Sequence, residues 1–372
     1  MSRSLIGGIT NRVLMLIAAA LLVLSYVSAF VNPARAWYLM LPGLFFFPLA
    51  MLNLFLLLWA VMRRSRAFLI PLVALLPTLF FVGRYFRTGG DRDLKGEDEG
   101  TVRIVSYNVG RFASLKDGSG KSLRGECEDS VYSFLKGTGA DIICLQEYYA
   151  DDVETLRSRL SSRFSGYDFD FYVYTGRSGC FGNVILSRFP ILGQGVIKFE
   201  HSSNLALYTD IRAYGREFRL YNCHFESYNI SFPGIVKGLI GRKDGILKET
   251  ERKMRHSLSL RPRQVDKVLE HISGCRSGTI LCGDFNDNPM SYTYQRLIRG
   301  HRDTFCEAGK GFGATYSVLW PVLRIDYVFI PKEFRALTHA SPRIGLSDHY
   351  PVISEIDVMQ EGGDGKEKGQ NR

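Results

Sequence analysis

Apolar residues are distributed very unevenly along this chain. Val13 to Val31 ("VLMLIAAALLVLSYVSAFV") and Ala36 to Met62 contain no charged side chain, and Arg35 is the only charge in the gap between them. A hydrocarbon core takes about 20 helical residues to cross, and each run supplies them. A third run, Ala67 to Val82, holds Pro71 and Pro77 and is read as a third crossing. Pro42 and Pro48 in the second run would be costly in an aqueous helix but are tolerated as kinks in a membrane bundle. A cleaved leader is the alternative for the first run, since Arg3 and Arg12 precede it and "ARA" at Ala34 to Ala36 mimics a cleavage site. That run is longer than a signal core and two more follow it, which favours a retained helix.

The pattern then changes. Thr88 to Gly100 ("TGGDRDLKGEDEG") has almost nothing to bury and reads as a linker. Beyond it, short β-branched and aromatic runs alternate with amphipathic segments. Strands are expected over 102–108, 141–146, 169–175, 183–187, 205–213, 218–225, 279–285, 325–330 and 350–357, and helices over 126–136, 151–163, 262–273 and 291–299. This is an α/β or α+β domain. The expected division is an anchor over 1–87 with about three transmembrane helices, a linker over 88–100, a folded domain over 101–358 and a disordered tail over 359–372. Tyr228 to Leu260, apolar and then basic, breaks the rhythm and reads as an insertion. No short-period repeat supports a solenoid.

Charge modifies the picture in two places. The formal net charge of +10 is concentrated where Lys237, Arg242, Lys243, Lys248, Arg252, Lys253, Arg255, Arg261 and Arg263 crowd together. Such a run suits nucleic acid or anionic lipid headgroups, and a solvated helix face is the plainer reading. Between the apolar runs, Arg3, Arg12, Arg63, Arg64 and Arg66 on one side tie by count with Arg35, Arg84, Arg87, Arg92 and Lys95 on the other. The dense "RRSR" tips the N-terminus inside and places the folded domain on the non-cytoplasmic side of a multi-pass protein. Of the seven cysteines, Cys144, Cys223 and Cys282 fall within strands, as small buried hydrophobes do.

The chemically capable side chains fall at strand ends. Asn108 ends the first expected strand, Glu147 the second, His224 the sixth, and Asp284 and Asn286 the seventh. Asp326 lies near the start of the eighth, and Asp348 and His349 precede the last. A carboxylate is costly inside a sheet and cheap where a strand emerges or where a cation compensates it. Several strands delivering carboxylate, amide and imidazole to one rim make an oxygen-rich site of the kind that Mg²⁺ or Mn²⁺ prefers over zinc. In "LCGDFNDNP" (Leu281 to Pro289) the period of two puts Asp284 and Asn286 on one side of the strand end. Asp287, Asn288 and Pro289 are left for the turn into the next helix.

Taken in order, "SYNVG", "DIICLQE", "GNVILSRFPI", "NCHFES", "GDFND", "RIDYVF" and "SDHYP" resemble the motifs of the endonuclease/exonuclease/phosphatase family, over roughly Val102 to Val358. The resemblance implies a four-layer α/β sandwich of the deoxyribonuclease I type, here preceded by the three apolar helices. It implies a Mg²⁺- or Mn²⁺-dependent phosphoesterase in which Glu147 is the principal metal ligand, assisted by Asn108 and Asp348. Asp284, with Asn286 beside it, would activate or position the attacking water. His349, hydrogen-bonded to Asp326, would bind the scissile phosphate, and His224 would act from the other side as acid or electrostatic stabiliser. Asn183 is a candidate substrate contact, with a purely structural role equally open. The "HFES" motif, the insertion and "SYTYQ" (Ser291 to Gln295) depart from the nucleases and resemble a membrane-attached bacterial branch. The expected partner is a phosphate-containing substrate, lipid headgroup or nucleic acid. A catalytically silent module would lack one of Glu147, Asp284, Asp348 or His349, and all are present. A transporter is disfavoured because the apolar runs hold no internal charge.

Overall fold

The computed structural model describes residues 2–89, 100–227 and 244–359. The central part of the linker, the apolar part of the insertion ("ISFPGIVKGLI") and the tail lie outside the described residues.

The apolar runs form helices α1 (Ser2–Ser28), α2 (Met40–Leu44), α3 (Phe46–Met62), α4 (Leu69–Leu75) and α5 (Thr78–Phe81). Two stretches, Thr10–Ser28 and Arg66–Arg84, are each long and apolar enough to cross a membrane. The second run is not one straight helix. Trp37–Leu44 and Phe46–Met62 meet at 58°, so a third crossing exists only if this bent pair counts as one span. Inside the bundle, Met15, Ala18, Ala19, Leu22, Tyr26 and Ala29 are buried at helical spacing, whereas Leu16, Ile17, Val23 and Val27 point outward. Small residues let these helices approach closely. A Cβ on Gly43, for example, would run into the Ser28 hydroxyl. Buried Asn53 donates its amide to the Ala18 carbonyl at 3.0 Å, an interhelical bond between α3 and α1.

The remainder is two six-stranded sheets face to face, with helices outside. The strands are β1 (Phe86–Thr88), β2 (Thr101–Asn108), β3 (Ile142–Ala150), β4 (Asp168–Gly176), β5 (Gly179–Ser187), β6 (Ile191–Lys198), β7 (Leu205–Ala213), β8 (Arg216–His224), β9 (Gly278–Asp284), β10 (His301–Asp303), β11 (Lys310–Phe312), β12 (Asp326–Pro331), β13 (Arg335–Ala340) and β14 (Val352–Asp357). One sheet has the order β13-β14-β2-β3-β5-β4 and the other β10-β12-β9-β8-β7-β6. Among the described residues only the central pairs β2–β3 and β8–β9 are parallel. Val102, Ile104, Cys144, Ile185, Leu220, Ile280, Cys282, Val328 and Ile356 fill the space between the sheets. The alternate positions of β2 and β3 pack on helices α6 (Arg124–Gly137) and α7 (Val153–Arg163). Those of β8, β9 and β12 pack on α8 (Asp244–Ser273) and α9 (Tyr292–Leu297). A last short helix, α10, covers Thr304–Ala308. The four-layer α/β architecture is the expected one.

Two differences bear on the site. The expected helix over 262–273 begins at Asp244 and continues through Pro262, so the basic half of the insertion is one long helix with it. Strands β6, β10, β11 and β13 carry no strong pattern in the sequence; β6 contains Gly193 and Gly195, which dilute its β-branched signal, at an open edge.

The bundle and the sandwich are docked. β1 pairs with β11, and Met290 sits among Leu22, Tyr26, Ala29, Phe46 and Tyr85. Beneath this junction Asp303 accepts two bonds from the Arg324 guanidinium, at 3.1 and 2.5 Å, and caps α10 through the Phe305 amide. Arg324 is buried and also lies over the Phe305 and Tyr327 rings, at 4.7 and 4.6 Å from their centroids. Removing one partner of such a pair leaves an uncompensated buried charge. Asp303→Asn in the full-length protein should therefore lose about 3–5 kcal/mol of unfolding free energy. Denaturant titration in detergent measures it, and a loss under about 1 kcal/mol contradicts this account of the pair.

Candidate active site

The site follows from strand parity. On β2, β8, β9 and β12 the positions facing between the sheets start apolar, turn polar at Ser106 and Asn222 on β2 and β8, and at the rim the same parity delivers Asn108, His224, Asp284 and Asp326. Register aligns three of them across one sheet: His224 on β8 is the direct partner of Asp284 on β9, which partners Asp326 on β12. Gly283 makes that register possible, because at its φ of +132° a Cβ would collide with the Cys223 carbonyl. The parallel strands end, and the antiparallel strands β12 and β14 begin, at this one rim. Chemistry therefore gathers at the carboxyl ends of the parallel pairs, as in open α/β sheets generally.

Asp284 Oδ2 is the hub. It accepts bonds from the amides of Asn108 (3.0 Å) and Asn286 (3.2 Å), and lies 3.8 Å from His224 Nε2 and 3.7 Å from His349 Nε2. The second Asp284 oxygen accepts the Asn286 main-chain N–H at 2.9 Å. His349 donates through Nδ1 to Asp326, 3.0 Å away, which turns Nε2 toward Asp284. Glu147 does not share the parity of its neighbours. A register shift between Leu145 and Tyr148, with Glu147 at φ +52°, breaks the ladder there. Such a bulge re-aims a side chain. Glu147 Oε1 comes to 3.4 Å from the Asn108 amide and 3.8 Å from His224, while Oε2 lies 3.4 Å from Arg111. Asp348 lies beside the Gly110 turn, which Asn108 and Ser347 hold through bonds of 3.0 and 2.7 Å.

Asn183 is deeper. It is buried and donates to the Asn222 carbonyl at 3.0 Å. Asn222 in turn accepts from Gln146 at 2.7 Å and donates to the Leu145 and Val184 carbonyls at 2.9 Å each. This polar row ties the two sheets together directly behind the rim.

Electrostatics favours a cation in front of it. Burial would lower the His349 pKa, but Asp326 and Asp284 outweigh it and push it up to about 10, so the imidazole is held protonated. Burial and then Asp284 push Asp326 up, and His349 pulls it back. Asp284, Asp326 and His349 offer ligand atoms within 4.8 Å of one another. Because Asp326 already occupies one nitrogen of His349, the donors left for a metal are mostly oxygens. The chain thus supplies the hard-donor set that suits Mg²⁺ or Mn²⁺ better than a soft metal.

Two residues in the site escape the sequence. Tyr316 packs edge-on against His349 (ring centroids 5.3 Å apart), and burial, Asp348 and Asp284 raise its pKa. It lies in an irregular segment that no periodicity marks. Arg111, at φ +56°, lies over the Phe181 ring and reaches Glu147; only its position just after "SYNVG" points to it.

The fold and this rim define a metal-dependent phosphoesterase or nuclease. The model of the endonuclease/exonuclease/phosphatase family matches residues 105–349, and the chain belongs to that family. It is accordingly a hydrolase of ester bonds. Residues 8–85 match a second model, described only as a domain of unknown function. Among solved structures, an endonuclease/exonuclease/phosphatase from Beutenbergia cavernae is similar at 18% identity and TM-score 0.52, over 71% of this chain and 72% of that one. The human Nocturnin catalytic domain with bound sulfate is similar at 17% and 0.50, over 69% and 93%. D. rerio TDP2 complexed with a single-strand DNA product is similar at 18% and 0.50, over 70% and 100%. At these identities the likeness concerns the fold. No curated protein matches the chain.

A clustered carboxylate site is relieved by a bound cation, so Mg²⁺ or Mn²⁺ should stabilise the fold. At about a hundredfold excess over Kd the gain is about 2.7 kcal/mol, or about 5 °C or more in Tm. Thermal unfolding of the full-length protein in detergent should show this rise, and Glu147→Gln should lose most of it. An undiminished rise in the variant would remove Glu147 from the metal site.

Proposed function

We propose that this chain is a membrane-anchored, divalent-metal-dependent phosphoesterase acting on a phosphate ester at the bilayer surface, a lipid headgroup in preference to nucleic acid. One observation carries it: Asp284, fixed by two amides, stands between two imidazoles, with Glu147 also reaching His224 and Asp348 close enough to act on His349.

Asn108, Glu147 and Asp348 would hold the cation. Bound there, it supplies a Lewis acid that draws charge from a phosphate oxygen. Asp284 positions the attacking water and accepts its proton, its own geometry being locked by Asn108 and Asn286. His349, kept cationic by Asp326, donates to a non-bridging oxygen and stabilises the charge that develops on it. His224 faces the phosphate from the other side as acid or electrostatic stabiliser. Asn183, bonded to Asn222, serves by bracing the sheets.

The docking of the bundle on the turn that follows Asp284 supports the lipid reading. The nuclease alternative draws on the basic face of α8 and on a fold neighbour solved with a DNA product. Purified full-length protein should hydrolyse a phosphodiester only when Mg²⁺ or Mn²⁺ is present. Glu147→Ala and His349→Ala should each cut the rate by about 10²–10⁴. Full activity in both variants would end this mechanism. Assays on phospholipid micelles and on plasmid DNA at varied salt decide the substrate, since a nuclease would lose affinity steeply with salt.

For sidedness, Ser28 and Gly43 meet the sandwich through Met290 and Asn288, so Arg12 near the start of α1 and Arg63, Arg64 and Arg66 after α3 belong to the opposite helix ends. With Arg3 added, the counts tie once Arg35, Arg84, Arg87, Arg92 and Lys95 are set against them, and the density of Arg63, Arg64 and Arg66 in one short loop is the ground for reading that end as inside and the catalytic domain as outside the cytoplasm. External protease on intact cells should digest the domain, and complete protection would reverse the assignment.

A further inference from the structure

Between the bundle and α8 lies a cleft of about 560 Å³, lined by Pro33, Arg35, Trp37, Lys248, Arg252 and Arg255 among others. It is remote from the catalytic rim in sequence and shares no residue with it. Through Trp37, one of its lining residues, the cleft adjoins a small apolar contact in which Met254 and Leu258 of α8 pack with Met40. The walls carry a surplus of positive charge, with Glu251 the one carboxylate among the lining residues. Of the cationic side chains, Arg252 is paired to Glu249 at 2.8 Å, whereas Arg35, Lys248 and Arg255 have no ion pair among the described residues.

Its position is what gives this charge a partner. Thr10–Ser28, 19 residues, rises about 28 Å as a helix, close to the thickness of a hydrocarbon core. Pro33 to Trp37 follow within nine residues of its end and so fall at headgroup depth. In sequence Phe30 and Tyr38 bracket its bundle-side residues with exposed rings, the tyrosine being a residue type enriched at membrane interfaces. A cationic cleft at that depth meets lipid phosphates before any other anion.

We propose that this cleft is a second, non-catalytic site that holds the phosphorylated headgroup of an anionic phospholipid, with Arg35 on the bundle and Arg255 on α8 clasping it. The lipid then joins the two halves of the protein. The inference rests on the proposed placement of the bundle in a bilayer and is independent of the catalytic reading.

The test is thermal unfolding of the full-length protein in phosphatidylcholine mixed micelles, with and without phosphatidylglycerol. Phosphatidylglycerol should raise Tm by about 3–6 °C. The rise should vanish in Arg35→Gln/Arg255→Gln, survive in Arg255→Lys, and survive in the metal-site variant Glu147→Gln. Native mass spectrometry should show one retained phosphatidylglycerol on the wild type and none on the double variant, a readout that does not depend on the variant's melting behaviour. An equal rise in wild type and double variant overturns the site. So does an equal rise from inorganic phosphate or from a short single-stranded DNA, which would make the cleft a free-anion or nucleic-acid site. Wild-type protein that stays monodisperse without detergent or lipid would instead refute the bilayer placement, so the two failures are told apart.

Discussion

The turn after β9 has to satisfy two neighbours at once. Asp284 and Asn286 belong to the catalytic rim, and Asp287 is buried against Arg261 of α8 at 3.1 Å. The next three residues belong to the helical bundle. Asn288 donates to the Gly43 carbonyl at 2.9 Å, the Pro289 carbonyl accepts from Arg84 at 3.1 Å, and the Met290 carbonyl accepts from Ser28 at 3.2 Å. Each contact is short and largely buried, so none can be broken without leaving a polar group unsatisfied. Seven consecutive residues thereby fix the position of the Asp284 carboxylate relative to the bundle.

This constraint explains the way buried charge is tolerated. Asp284 and Asp326 are nearly inaccessible, a placement that would be prohibitive for isolated carboxylates. The amides of Asn108 and Asn286 and the protonated His349 compensate them, and the Gln146–Asn222–Asn183 row stiffens the floor behind. Compensation is incomplete on the side of Glu147 and Asp348, which add further negative charge. Rigid placement of an acid cluster that is only partly compensated is the arrangement a metal site requires.

Parity made most of this site legible in the sequence. Residues 102, 104 and 106 to 108, or 280, 282 and 284, need only a period of two to place the last side chain between the sheets. Glu147 shows where that logic stops. By parity it belongs with Leu145 on the helix-covered face, and only the bulge at φ +52° brings it to the rim; the family motif names it, but no local rule does. The edge strands β6 and β13 were illegible because edge pairing needs little hydrophobic alternation. The start of α8 was hidden by Pro262, which ordinarily ends a helix and here lies inside one. The bent second run reads in sequence as a single span, since hydropathy records composition and not the angle at Phe45.

The same turn also bears on what kind of phosphate can be reached. From Asn286 to Met290 is four residues, at most about 14 Å of chain. The rim thus stands within about 14 Å of the end of the bundle, about twice the depth of one headgroup layer. An enzyme acting on nucleic acid gains nothing from that proximity, and an anionic membrane surface beside the site would repel the substrate. With the bundle in a bilayer, as proposed, a lipid ester would gain from it, since its headgroup would lie near Asp284 while its tails stayed in hydrocarbon. The shortness of the turn, more than the basic charge of α8, is therefore the physical reason for favouring a lipid headgroup.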